Sequence, residues 1–374
     1  MAIYKIFPEK DATVYSQYPS MNSGIDEILE FSTYINTDNT AYPSRTLIKF
    51  AQQDIDNTIN NLISGSVFEV DLKLYAAKVT GLNTTVTIET FPISASWNQG
   101  TGQYLDRPET INGVSWAWRY TSGSSQWQTS SYNYFTTASY GAIKGGGTWY
   151  TASYLNLPLR ATASLGYKTT LDITLPVLNI IRNWYSESIY STGLPNDGFI
   201  IKQTKDTEFT TQTAVELKYF SADTNTIYPP CLEFKWDDSI YNTSSTIPTV
   251  SDTNVITKLV NNTGEYPTDM DIIFRFSTRP QYPPRIFTTS SLYTQNYYLP
   301  YNTCYCIKDA YTEETVVDYD TTYTRLSADS QGNFVKLRTA GLEPERYYRI
   351  HLRSTINNSY TFVDTSETFK IVNG

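Results

Sequence analysis

AVELKYFSADTNTIYPPCLEFKWDD, residues 214–238, decides the fold. In its first half Val215, Leu217 and Tyr219 alternate with Glu216 and Lys218. In its second half Leu232, Phe234 and Trp236 alternate with Glu233 and Lys235. Successive side chains on a strand point to opposite faces, so a period of two with one apolar side reads as a half-buried strand. Between the halves, a Ser/Asp/Thr/Asn run closed by Pro229–Pro230 supplies turn chemistry. Strands of this kind are expected to pair antiparallel, with one face in a core and one in water.

The rhythm recurs in both directions. EVDLKLY (69–75) sets Val70, Leu72 and Leu74 against Glu69, Asp71 and Lys73, and LDITL (171–175) aligns Leu171, Ile173 and Leu175. Composition agrees: 32 Tyr and 16 Phe beside abundant Thr suit pleated, half-buried surfaces, and charged residues are only 17%. One segment departs from it. In LPVLNIIRNWYSES (175–188), Val177, Ile181 and Trp184 fall four and three apart, which predicts a short amphipathic helix with Pro176 in its first turn. STGLPNDG (191–198) then punctuates a turn before the strand GFIIK.

A chain of 374 residues suits two domains. The Thr/Ser-rich stretch SIYNTSSTIPTVSDTN (239–254) reads as a linker. It leaves a large β-sandwich over 1–238 and a smaller one over 255–374, the latter built from runs such as DIIFRFSTRP, NFVKLRT and YYRIHLRS. No repeat of fixed period argues for a solenoid or propeller. The fold class expected is all-β.

Several function classes lose support. A net charge of −9 without a Lys/Arg cluster argues against nucleic-acid binding. No run approaches eighteen apolar residues, so no spanning helix and no membrane partner is expected. The opening MAIYKIFPEKDATVYS has no apolar h-region, so no secretory signal is expected either. Three cysteines make no disulfide framework; Cys304 and Cys306, two apart on a strand, share a face and read as reduced structural thiols. The one histidine, His351, sits between Arg349 and Arg353 on an outward strand face and reads as a solvated residue rather than a catalytic base. KGGGTW (144–149) lacks the P-loop Lys-Ser/Thr, so its glycines read as a loop needing positive φ. Asp and Glu are scattered through strands and turns, and no enzyme is expected.

Over residues 1–238 the chain resembles the DNRLRE-type, disaggregatase-related, carbohydrate-binding-module-like domain. The pieces that carry this are DATVYS, NSG and ILEF, then SRTLIKF, EVDLKLY and SWNQG. The Trp- and Gly-rich GVSWAWRY…GGGTWY follows, and then LDITLPVLNIIRNW with NDGFIIK and the closing strands quoted first. The resemblance implies a jelly-roll β-sandwich. Such sandwiches often hold a structural calcium ion, for which Asp11, Asp26, Asn196 and Asp197 are the oxygen-bearing candidates, without any EF-hand-like spacing. No other cofactor is expected. A second, shorter resemblance lies in GLEPERYYRIHLR, where Leu342, Pro344 and Tyr348 look like the tyrosine corner of a fibronectin type III or immunoglobulin-like sandwich.

The aromatic stretch between SWNQG and LDITL holds the candidate contact residues: Trp116, Trp118, Trp127, Trp149 and Tyr150, with Tyr132, Tyr134 and Tyr140 in its outer part. Three readings stand. The tryptophans anchor a loop to the core, they touch a partner protein, or they form a glycan platform. The first is favoured for the tryptophans and the second for the outer tyrosines. MAIYKIFPEKDATVYS also resembles virion proteins of T4-like marine cyanobacterial phages. The function expected is therefore a non-enzymatic structural protein of a tailed-bacteriophage virion, in the neck, tail or baseplate. It would be made in the host cytoplasm and dock on other virion proteins in several copies. A glycan-binding adhesin, contacting a host-surface glycan, is the alternative.

Overall fold

A computed structural model describes residues 3–63, 65, 67–121, 123–127, 135–137, 145–151, 157–268, 270–282 and 295–373. The chain is all-β, built as sandwiches of mostly antiparallel sheets with little helix, Glu265–Pro267 pairing parallel with Ser359–Val372. It divides into two compact units. One holds residues 6–62 and 69–233; the other holds 234–374 together with 1–5 and 63–68.

In the N-terminal unit the main sheet runs Ala161–Leu165, Val86–Pro92, Phe199–Gln203, Ala41–Lys49, Lys10–Tyr15, all antiparallel. Thr33–Ile35 pairs with the start of Ala41–Lys49. A three-stranded sheet of Ile28–Glu30, Glu216–Phe220 and Ala76–Thr80 covers one face. Thr13 and Thr46 reach across to the backbone of Glu30, and the Gln203 amide donates to Phe31 O at 2.9 Å. The opposite face carries Ala12, Val14, Leu47, Phe91 and Ile200. It is not in water: Trp97, Val114, Trp116, Trp127 and Trp149 pack over it. With both faces covered, FIIKQ (199–203) is buried at every position, and no alternation of core and solvent develops here. Where only one face is covered it holds, as in Phe68–Leu74, which pairs with Ile173–Pro176.

The expected helix forms over Leu178–Tyr190 and buries Ile180, Ile181 and Trp184, with Trp184 4.6 Å from Phe199 between ring centroids. Pro176 belongs to the preceding strand rather than the first helical turn, because Val177 N–H is bonded to Val70 O and stands as the N-cap.

The C-terminal unit stacks two sheets. One runs Val255–Leu259, Asp271–Pro280, Gly332–Arg338, Ser327–Asp329. The other runs Glu265–Pro267, Ser359–Val372, Tyr347–Ile356, Cys304–Asp309, Thr315–Val317. Phe274, Phe276 and Leu337 meet Ile307, Tyr348, Ile350, Leu352 and Phe369 in the core. Ile3 is part of this core too. Residues 239–254, expected as a linker, are bonded into the unit: Ala328 N–H donates to Ile240 O and Val250 N–H to Tyr298 O. The Tyr-rich approach to Cys304 falls partly on 283–294, outside the described residues.

Candidate functional site

The tryptophan segment is positioned by backbone geometry before chemistry. Gly145, Gly146 and Gly147 have φ of 107°, 77° and 106°, which side-chain-bearing residues rarely adopt. A Cβ on Gly145 would stand 2.2 Å from Trp116 O, and one on Gly146 2.7 Å from the Trp116 ring. The three glycines thus let the chain lie directly on the indole. Trp127 Nε1–H donates to Ser115 O at 3.0 Å and closes the other side.

Trp116, Trp127 and Trp149 are consequently at most 1% exposed. They cannot present a glycan platform or a partner surface, which corrects that reading for these three; loop anchoring is what they do. Trp118 and Tyr150 are half-buried, Trp118 in a backbone bridge with Gln126. Tyr132, Tyr134 and Tyr140 lie outside the described residues.

Beneath the indoles lies a buried ionic cluster that the sequence did not announce. Arg45 donates from Nε and Nη2 to the two oxygens of Glu208 and from Nη1 to Gly146 O at 2.9 Å. Its guanidinium is 4.8 Å from the Trp116 ring centroid and 5.3 Å from that of Trp149. Lys202 Nζ lies 3.3 Å from Glu89 and 3.7 Å from Glu208, and burial lowers its pKa. Two cations face two anions, each hydrogen-bonded, which is how charge is tolerated away from water. The cluster fastens the tryptophan segment to the sheet.

A cleft of about 540 Å³ opens elsewhere on the same unit. Its walls come from the ends of Lys10–Tyr15 and Ala41–Lys49, from Thr33–Ile35, from Glu216–Phe220 and from the turn at Tyr104. Tyr15, Tyr18, Tyr34, Tyr42 and Tyr104 line it beside Ser and Thr hydroxyls. Tyr104 lies 4.7 Å from Tyr15 and 6.1 Å, edge-on, from Tyr18. Tyr34 is 52% and Tyr104 40% exposed, so ring surface faces solvent. On one wall Lys218 lies 3.2 Å from both Glu30 and Glu216, and Lys78 lies 2.7 Å from Glu216. The Lys78 bond holds Glu216 down to about 2, whereas burial raises Glu30 despite Lys218. A carboxylate held that low accepts hydrogen bonds and does not donate protons. None of these residues was a site candidate from sequence: they are tyrosines, glutamates and lysines scattered through ordinary strands and turns from positions 15 to 218.

The remaining candidates sort simply. The tyrosine corner forms: Tyr348 OH donates to Glu343 O at 2.9 Å, over buried Leu342, while Pro344 is exposed in the turn. His351 is half-buried rather than solvated, opposite Asp364 and Cys306 in the sheet register, and burial lowers its pKa. Cys231, Cys304 and Cys306 are free and buried; burial raises Cys306 to about 11.

The calcium candidates have partners within the protein, and Asp26 accepts from the backbone N–H groups of Tyr104, Ile28 and Glu27. Asn196 uses its amide on Phe50 O and Gly198 N, and Asp197 faces Lys49 and Lys10. Asp11 accepts from Ala222 N at 2.7 Å, with its other oxygen buried and unpartnered. Among the described residues no group of three or more His, Cys, Asp or Glu could hold a metal ion. No helix among them is long and apolar enough to cross a membrane. No family model matches the chain, and no curated protein matches it in sequence.

Proposed function

We propose that this chain is a non-enzymatic structural protein of a tailed-bacteriophage virion, present in several copies in the neck, tail or baseplate and working through protein–protein contacts. The observation that carries the reading is the outer face of the five-stranded sheet in the C-terminal unit. Tyr360 and Phe362 are each 66% exposed there. Phe362 meets Tyr319 edge-on at 6.0 Å, and Arg353 lies 4.8 Å from Tyr319 and 5.4 Å from Tyr360. A guanidinium held among rings offers apolar area with polar handles and little remaining freedom, the combination protein interfaces favour. The resemblance of the opening residues to phage virion proteins supplies the setting, and β-sandwich modules suit repeated docking in symmetric assemblies.

Mass spectrometry of purified virions tests this directly. The chain is expected in intact particles at a fixed multiple of other structural proteins, and particles that lack it overturn the reading. Phe362→Asp should reduce incorporation without unfolding the chain, because that side chain stands outside the core.

A further inference from the structure

We propose that the open edge of strand Ser359–Val372 pairs, antiparallel, with the same edge of a second copy of this chain. The inference deepens the reading of that sheet's outer face as a contact surface and rests on it.

The hairpin fixes which backbone groups point outward. Tyr347–Ile356 and Ser359–Val372 are joined by Asn357 and Asn358, with φ of 51° and 60°. In a two-residue turn of this kind the flanking residues, here Ile356 and Ser359, exchange hydrogen bonds. Bonded and non-bonded pairs then alternate along the ladder. Thr361 and Val363 therefore bond inward to Ser354 and Leu352, while Tyr360, Phe362 and Asp364 turn their N–H and C=O groups away from the hairpin. Glu265–Pro267, the neighbour on that side, pairs only with Lys370–Val372. Among the described residues no hydrogen bond reaches the outward backbone groups of Tyr360, Phe362 or Asp364. Such an edge is a template for another strand, and edges are ordinarily blunted by charge, proline or a bulge. Here the bulge comes later, around Ser366 with φ of 59°, and Ser359–Val363 has neither charge nor proline.

Self-complementarity selects the occupant. A two-fold axis at Phe362 sets Phe362 opposite its own equivalent and Tyr360 opposite Asp364 of the second copy, so all three outward residues exchange bonds. Moving the axis by one residue brings Asp364 against Asn358 of the turn, or Tyr360 against Ser366 of the bulge. Charge agrees with the first register. Arg353 lies 4.8 Å from the Tyr319 ring and 5.4 Å from that of Tyr360, and no carboxylate among the described residues pairs with it. Asp364 of the second copy would arrive beside Tyr360, on the face where Arg353 stands. An unrelated apolar strand would cover the rings of Tyr360 and Phe362 but bring Arg353 no counter-charge.

The test uses the purified full chain. Analytical ultracentrifugation from micromolar to millimolar concentration should show a dimer. Phe362→Pro should weaken it at least about tenfold, because it deletes the central ring and an N–H that the hairpin itself does not use. Tyr167→Ala, exposed on the other unit, should dimerise as the parent does. Cysteine cross-linking reads the register without touching the backbone. Residues exchanging bonds across the axis stand about 5.5 Å apart between Cα atoms, within disulfide reach. Phe362→Cys should therefore link two chains under mild oxidation. Asp364→Cys should not, since its equivalent lies four residues, about 13 Å, along the strand. The native thiols are buried, so the parent should not link. A chain that stays monomeric, a dimer indifferent to Phe362→Pro, or equal linking at positions 362 and 364 overturns the proposal. The virion reading is separable: dimers formed by a chain missing from virions keep the pairing, and a monomer found in virions removes it alone.

Discussion

Arg45 and Glu208 are joined by a two-point hydrogen-bonded pair, with neither side chain more than 1% exposed. One lies in a central strand and the other in the short helix Lys205–Glu208, so the bond ties elements 163 positions apart in sequence. Glu208 also faces Lys202, and Arg45 also holds the Gly146 carbonyl. Removing either partner therefore disturbs both the charge balance and the attachment of the tryptophan segment.

Glu208→Gln should destabilise the chain by about 3–5 kcal/mol, because it leaves Arg45 buried without its counter-charge. Arg45→Met combined with Glu208→Leu should cost clearly less than the two single changes added together. Denaturant titration of the four proteins measures the coupling; additive losses would show that the pair is not a unit.

Gly146→Ala should cost about 2–4 kcal/mol, since it adds left-handed strain to a Cβ driven into the Trp116 ring. Gly123→Ala is the matched control. Its φ is 88°, but nothing lies within 4 Å of its Cβ, so only the backbone cost of about 1–2 kcal/mol remains. Thermal melts with near-ultraviolet circular dichroism separate them, because only the first should alter the indole signal.

Asp11 makes stability fall as pH rises. Burial raises its pKa from 3.8 to about 7, so between these values the folded chain holds a proton that the unfolded chain has released. Stability from this group is complete below about pH 4 and is lost through pH 7, by up to about 4 kcal/mol over the full window. Asp11→Asn should flatten the dependence and stabilise the protein most at pH 8. Urea midpoints at pH 5 and pH 8 decide it; an unchanged slope in the variant would exclude Asp11 as the source.

Tyr348→Phe removes the corner bond to Glu343 O while keeping the ring against Phe369. The expected loss is about 1–2 kcal/mol, because the Glu343 carbonyl is left without that donor. Unfolding followed by a probe confined to the C-terminal unit should register the whole change.

Legibility in the sequence followed the range of the interaction. EVDLKLY and YYRIHLRS could be read because alternation is a local property of a strand with one covered face. Leu342, Pro344 and Tyr348 could be read because one turn and the strand after it contain the whole corner. FIIKQ could be read as a strand but not as one buried on both faces, because its second cover, the tryptophan segment, comes from a distant part of the sequence. The burial of Trp116 depends on Arg45 and Gly146, neither adjacent to it. The cleft was invisible for the same reason: Tyr15, Tyr34 and Tyr104 are unremarkable until three separate strand ends and a turn bring them to one wall.

The division of the chain has a temporal consequence. Ile3 packs in a core whose other members begin at Val250, and residues 63–68 join that same unit. One unit is thus nested within the sequence of the other. During synthesis on the ribosome, the inner unit has all its residues once position 233 has emerged. The first strand's apolar residue must wait for a partner still being translated. Folding order is thereby imposed from the inside outward, and a cut at the apparent linker would yield a C-terminal fragment missing part of its own interior.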